Sequence, residues 1–343
     1  MGRHTNIPIF IPHLGCPNCC VFCNQRTISG VEHFSPDSVI PEIETALETL
    51  TADDEVELAF FGGSFTGIDR GLMIGLLEIA RSYVDSGRIK SVRCSTRPDY
   101  INEEILDILV GYGVETVELG LQSRSDRVLD ACRRGHSSVD EERACCLIRE
   151  RGLLLVGQMM IGLPSATAED EEMTARFIVD MGAVGARIYP TVVFADTELC
   201  SMTEALEYRP LSLEEAVERS SRVMRILEEG GVSVIRVGLC SSENLVSVDK
   251  YRAGPNHPAI GEMVIGRMFY EKIREAILEC ENIPAHLTVY VPVGCVSKAV
   301  GHGKENKTKI IQEFNLRSLK VKECKALSGY EVEIREEGVP GCT

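Results

Sequence analysis

Apolar residues recur along this chain in short blocks separated by stretches of helical period. Ile7–Pro12, Val56–Phe61, Ser91–Thr96, Thr116–Leu121, Leu153–Ile161, Gly185–Tyr189 and Val232–Val237 each read as a buried strand. Between them, Pro41–Leu50, Gly71–Val84, Glu103–Val110, Val139–Arg151, Ala168–Met181 and Leu213–Glu229 read as helices. Short apolar strands alternating with helices mean βαβ units and a parallel sheet. The number of repeats exceeds a simple βαβαβ half and predicts an α/β fold built on a full or partial (βα) barrel. Gly62-Gly63, Arg97-Pro98 and Gly162-Leu163-Pro164 punctuate the strand exits. In such barrels function gathers at the C-terminal strand ends.

After residue 240 the pattern changes. Gly254-Pro255-Asn256-His257-Pro258 is turn-rich, and Glu262–Glu279 is one amphipathic helix. Leu287–Pro292 reads as a strand, Val296–Val300 as a short helix, Gly301–Lys304 as a loop and Glu305–Glu313 as a helix. Leu319–Glu323 and Tyr330–Ile334 read as strands. The expected organisation is a barrel over 1–240, a helical extension over 241–286 and a small α+β module over 287–343.

With 44% hydrophobic and 26% charged residues, composition excludes disorder, collagen-like repeats and a pure coiled coil. No apolar run is long enough to span a membrane, and Ile7–Ile11 is too short and Pro-broken for a secretory signal. A cytoplasmic protein is expected. The net charge of −16 is uneven. Residues 1–286 hold 27 Lys+Arg against 45 Asp+Glu, a balance of −18. Residues 287–328 hold 8 against 3, a balance of +5. A basic segment on an acidic body points to a nucleic-acid partner, with a merely solvated surface as the plainer alternative.

Fourteen cysteines are too few for a disulfide scaffold in a chain this long. Four of them, Cys16, Cys19, Cys20 and Cys23, lie directly after the first strand, which favours metal binding over disulfides. Cys16, Cys20 and Cys23 form a C-x3-C-x2-C spacing suited to an iron–sulfur cluster. Three thiolates on a four-iron cluster leave one iron open to a substrate or cofactor. Phe22 would shield the cluster from water. The alternative is zinc on all four cysteines, but adjacent Cys19 and Cys20 would strain a tetrahedral shell. Cys19 is then a bystander or a substitute ligand. Cys240, after the last barrel strand, reads as a buried residue or an assistant to the chemistry.

C-x3-C-x2-C after the first strand of a βα barrel resembles the radical S-adenosylmethionine (SAM) superfamily. Phe61-Gly62-Gly63-Ser64-Phe65 resembles its Gly-Gly-Glu-type motif. The likeness is greatest to the catalytic subunit of Elongator. Ser95-Thr96-Arg97-Pro98-Asp99-Tyr100 and Val117-Glu118-Leu119-Gly120-Leu121-Gln122-Ser123 look like its third- and fourth-strand motifs. Arg134-Gly135-His136, Met159-Met160-Ile161-Gly162-Leu163-Pro164 and Arg187-Ile188-Tyr189-Pro190-Thr191 continue the order. The resemblance covers residues 7–240. It implies a 4Fe–4S cluster on Cys16, Cys20 and Cys23, and SAM bound near Phe22, Gly62, Gly63, Ser64, Ser95, Gln122, Gln158 and Gly162. Glu118, Arg187 and Tyr189 are the candidate catalytic residues, and Glu118 is also open to being a satisfied core polar group. The implied chemistry is reductive SAM cleavage to a 5′-deoxyadenosyl radical, fed by a donor such as flavodoxin or ferredoxin.

There are departures. The first two cysteines are closer together than in Elongator, Ser64 and Ser95 replace other residues, and no acetyltransferase domain is seen. The stretch Val291–Asn306 resembles a KH domain, a single-strand RNA binder whose GXXG loop clamps nucleotide backbone. Here the loop reads Gly301-His302-Gly303-Lys304, and Lys298, Lys304, Lys307 and Lys309 supply charge. The favoured reading is a radical SAM enzyme acting on RNA, and on tRNA by resemblance, gripped by residues 287–335. The alternatives are the same chemistry on a small molecule, in the manner of coproporphyrinogen oxidase, and a non-catalytic iron–sulfur RNA-binding protein.

Overall fold

A computed structural model of the chain describes residues 4–16, 20–29, 31, 33–51, 53–239 and 249–336. Cys19 and Cys240 lie outside the described residues. The chain divides into two compact units. One comprises residues 1–212 and 226–256, the other residues 213–225 and 257–343.

The first unit is built on one parallel sheet. Its strands are β1 (His4–Ile11), β2 (Glu55–Gly62), β3 (Ser91–Thr96), β4 (Val114–Gln122), β5 (Leu154–Ile161), β6 (Gly185–Pro190) and, after the short β7 (Val193–Phe194), β8 (Ser233–Val237). The spatial order is β1-β2-β3-β4-β5-β6-β8, every neighbour parallel. Sequential strands are therefore spatial neighbours, as in the expected partial barrel. Four of the connecting helices start where a side chain satisfies a free N–H group. Asp69, Asn102, Ser137 and Thr167 cap them, the last two in full capping boxes with Asp140 and Asp170. A two-stranded ribbon joins β7 to β9 (Tyr251–Ala253), which no sequence periodicity announces because neither strand exceeds three residues.

Register carries all strand exits to one edge. Ile11 pairs with Gly62, Gln122 with Met159 and Ile161 with Pro190. Along β4, period-two alternation puts Glu118 and Gly120 on one face, and the register shifts between Gly120 and Gln122 at the strand end.

The second unit packs a three-stranded sheet, β10 (His286–Pro292), β11 (Ser318–Cys324) and β12 (Glu333–Glu336), in the order β11-β10-β12. β10 is parallel to β11 and antiparallel to β12. Phe269, Ile273 and Ile277 of the helix Ile260–Leu278 share a core with Leu287, Val289, Val291 and Ile310. β12 begins later than the apolar pattern predicts. Residues 328–331 are used in a turn, where Glu331 accepts from the Ser328 N–H and donates its own N–H to the Ser328 carbonyl. Among the described residues, no helix is long and apolar enough to cross a membrane.

Candidate functional site

The cysteine loop leaves β1 and lies directly on the turn that leaves β2. Glycine makes this contact possible. A Cβ on Gly15 would sit 2.2 Å from the Ser64 carbonyl oxygen, and one on Gly63 would sit 2.1 Å from that of Leu14. Gly15 also has φ of 73°, a conformation that side chains resist. Gln25 fastens the far end of the loop. Its side-chain oxygen accepts from the His13 N–H, its Nε2 donates to the Gly62 carbonyl, and its own N–H donates to His13 Nε2 at 3.0 Å. The next segment is pinned by backbone bonds from Val21 N–H to the Cys132 carbonyl (3.2 Å) and from Leu199 N–H to the Val21 carbonyl (2.8 Å).

Cys16, Cys20 and Cys23 therefore share one stapled loop. Cys20 is buried, and the other two are half-buried. Burial, then the Cys20 and Cys16 sulfurs, push the Cys23 thiol up to about 12. Burial also raises the Cys16 thiol, with Cys20 adding to it. Thiols crowded like this resist ionisation unless a bound cation takes them as thiolates. Among the described residues, no three His, Cys, Asp or Glu side chains converge as a single-ion site requires. Three cysteine thiols carried on one loop beside the strand ends are the donors that an iron–sulfur cluster takes.

Two arginines stand beside the loop. Arg134 Nη1 donates to Cys20 Sγ at 3.3 Å, and Nη2 donates to the Gly120 carbonyl at 2.6 Å. Arg97 donates through Nη2 to the Arg134 carbonyl and forms a two-pronged pair with Asp99 at 2.9 and 3.0 Å. Both arginines lie within the sequence motifs, and Gln25 lies just past the last cysteine, yet nothing local marks the three as site residues. Arg134 is 114 positions from Cys20, so only the fold reveals the contact.

Gln122 closes β4 with φ of 74°, and its Nε2 and Arg134 Nη2 both crowd the side where Gly120 lacks a Cβ. Gln122 Oε1, Arg97 Nη1 and Arg134 Nε are buried without hydrogen-bond partners. Each such atom costs about 1–3 kcal/mol. One acceptor and two donors kept unpaired at the strand ends suit a polar ligand. Ser64 and Thr96 join the exits of β2 and β3 by a 2.8 Å hydroxyl bond, and the Arg97 N–H donates to Ser64 Oγ at 3.3 Å. Phe22 packs on the cluster formed by Val21, Cys132, Leu163 and Leu199. Gly162 is held by local bonds: its N–H donates to Glu171 at 2.6 Å and its carbonyl accepts from the Tyr208 hydroxyl at 2.6 Å.

Glu118 sits apart from these, lower in the sheet and fully buried. It accepts from Arg93 (2.8 Å) of β3, Gln158 (3.0 Å) of β5 and Arg187 (2.9 and 3.2 Å) of β6. Arg93 also bonds Glu57 of β2, giving two acids and two arginines in one buried chain. Burial alone would raise the Glu118 carboxyl, but the Arg187 charge and bonds from Arg187, Arg93 and Gln158 hold it below its ordinary range. Arg187 stacks 5.4 Å over the Phe61 ring and interacts with half-buried Tyr189. Ser95 pairs in register with Glu118.

In the second unit, the turn between helices Val296–Val300 and Glu305–Glu313 has positive φ at Gly301 (81°), Gly303 (57°) and Lys304 (67°). Buried Asn306 holds it, donating to the carbonyls of Gly266 (2.7 Å) and Ala299 (3.2 Å). A Cβ on Gly301 would meet Asn306 at 2.8 Å. His302 and Lys304 are exposed at the tip, with Lys298 exposed nearby.

Residues 10–178 match the family model of the Radical SAM superfamily, and residues 183–270 match that of the Radical SAM C-terminal domain. A tRNA uridine(34) acetyltransferase of Methanocaldococcus infernus is 30% identical over 255 residues, covering 64% of this chain and 47% of the relative. Elongator complex protein 3 of Danio rerio is 26% identical over 317 residues, covering 79% of this chain and 55% of the relative. The chain spans about half the length of the curated relatives it matches. The solved structure of Methanocaldococcus infernus Elp3 superimposes with a TM-score of 0.63 at 22% identity, covering 86% of this chain and 68% of that one. That likeness shows the fold.

Proposed function

We propose that this chain, which belongs to the radical SAM superfamily, is an enzyme that holds a 4Fe–4S cluster on Cys16, Cys20 and Cys23, binds SAM at the strand ends and modifies RNA, specifically tRNA. The observation that carries this reading is the stapled cysteine loop on the same sheet edge as Gln122, whose buried side-chain oxygen has no partner. Cys16, Cys20 and Cys23 would hold the cluster, and with SAM it would supply reductive radical chemistry for hydrogen abstraction from the substrate.

The protein's own residues prepare for that. Gly62 and Gly63 seat the β2 exit against β1 and the cysteine loop, Ser64 at that exit and Ser95 one residue before the end of β3 face the cofactor side in this reading, and Gln122 offers an acceptor. Phe22 and the apolar cluster under it keep water from the cysteine loop. Glu118 is a positioning residue that orients Gln158 and Arg187, and through Arg187 the Tyr189 side chain near the strand end. Gly162 shapes the exit of β5.

Residues 1–240 carry the chemistry in this reading. Residues 241–286 join them to a KH-like module over 287–343, whose exposed lysines and positive-φ turn grip RNA backbone. The tRNA assignment is supported by relatives named as tRNA uridine(34) acetyltransferases. A low-potential flavodoxin or ferredoxin supplies the electron.

The test is anaerobic reconstitution with iron and sulfide, reduction, and assay of 5′-deoxyadenosine with and without bulk tRNA. Formation that rises with tRNA supports the whole reading. A full cluster with no 5′-deoxyadenosine under any condition overturns the enzyme reading.

A further inference from the structure

The contact between Arg134 and Cys20 has a consequence for electron transfer. Its geometry is fixed on three sides. Nη1 reaches Cys20 Sγ at 3.3 Å, Nη2 is tied to the Gly120 carbonyl at 2.6 Å, and the Arg134 carbonyl is itself held by Arg97. Gly120 leaves the room that this requires, since a Cβ there would sit 3.3 Å from Arg134 Nη2. Arg134 is 6% exposed and Arg97 4%, so water screens neither charge well. Asp99 neutralises Arg97, whereas no carboxylate touches Arg134 among the described residues.

A cluster gains one negative charge on reduction. Its potential depends on net charge, hydrogen bonds to its sulfurs and exposure to solvent. A fixed cation that donates N–H to a ligand sulfur stabilises the reduced form more than the oxidised one. We propose that Arg134 raises the reduction potential of the cluster held through Cys20, and that Arg97, braced by Asp99, keeps Arg134 in place. This rests on the cluster assignment above. No bond is made or broken at Arg134; the electron comes from the external donor and the guanidinium stabilises the charge it brings.

The test compares the full chain with R134Q and R134K after anaerobic reconstitution. Iron content is measured first, then the cluster's midpoint potential, by a redox titration followed by electron paramagnetic resonance without SAM. In R134Q the reduced-to-oxidised ratio at the wild-type midpoint should fall about tenfold, a negative shift of about 59 mV for one electron. R134K keeps the charge but not the two-pronged attachment, and should fall between the two. R134Q with full iron and an unchanged potential overturns the inference and leaves the cluster assignment standing. If R134Q does not hold a full cluster, R134M, which also removes the charge, decides, and an unchanged potential there overturns it. A wild-type chain that takes up no four-iron cluster sinks both.

Discussion

Arg187 on β6 reaches past β5 to clamp Glu118 on β4, with Nε on one carboxylate oxygen at 2.9 Å and Nη2 on the other at 3.2 Å. Arg93 completes the grip from the opposite side at 2.8 Å. Glu118→Gln removes the charge; Arg93 keeps Glu57, but buried Arg187 loses its carboxylate partner. The expected loss is about 3–5 kcal/mol of unfolding free energy, read from urea denaturation at neutral pH.

The same carboxylate should shape acid stability. Its folded-state value lies below the ordinary 4.5, so below 4.5 the unfolded chain binds more protons. The stabilisation is therefore complete above about pH 4.5 and fades as pH falls through the folded value. Urea midpoints measured from about pH 6 down to about pH 3 should drop less steeply in Glu118→Gln than in the wild type. Parallel curves would show that Glu118 does not govern the acid limb.

Gly63→Ala should separate the cysteine loop from the β2 exit, because the new methyl would stand 2.1 Å from the Leu14 carbonyl oxygen. Backbone must move, at about 1–3 kcal/mol. Iron retained after reconstitution and gel filtration should fall well below the wild-type value. Gly87→Ala serves as a control: its Cβ would meet nothing within 4 Å, although its φ of 72° carries backbone strain of its own.

Gln122→Ala should split stability from binding. The side-chain oxygen it deletes is buried and unpaired, so melting temperature should hold or rise. SAM affinity, measured by equilibrium dialysis on the cluster-loaded protein, should weaken by up to about tenfold, the worth of one hydrogen bond of about 1.4 kcal/mol. Unchanged affinity would remove Gln122 from the cofactor site.

Replacing both Lys298 and Lys304 with Gln should weaken RNA binding across sequences. Both side chains are exposed, so folding should be unaffected. The slope of log affinity against log salt should become shallower by about 0.7 for each phosphate of a single strand that the lysines no longer neutralise. An unaltered slope would place the RNA elsewhere.

Much of this protein is determined locally and so is visible in one dimension. Period two and period 3.6 follow from backbone geometry, and they place the seven parallel strands and the six longer helices between them within about three residues. The C-x3-C-x2-C spacing needs no fold to be recognised. Glu118 and Gln122 stand out as polar residues in an apolar strand, but the strand does not name their partners. Periodicity also overlooks β7 and β9, too short to show a period, and the turn that delays β12.

The rest depends on which distant segments meet. Arg134 touches Cys20 across 114 positions and Arg187 touches Glu118 across 69. Those meetings follow from strand register and sheet order, which bring together exits that lie far apart in the chain. Gly63 reads in sequence as part of a cofactor motif at a strand exit; in the fold Gly15 and Gly63 are the places where two backbones come too close for any side chain. Residue type and spacing thus determine the chemistry available. Only tertiary packing decides which cation faces which sulfur, because that depends on distances between strands that no local pattern encodes.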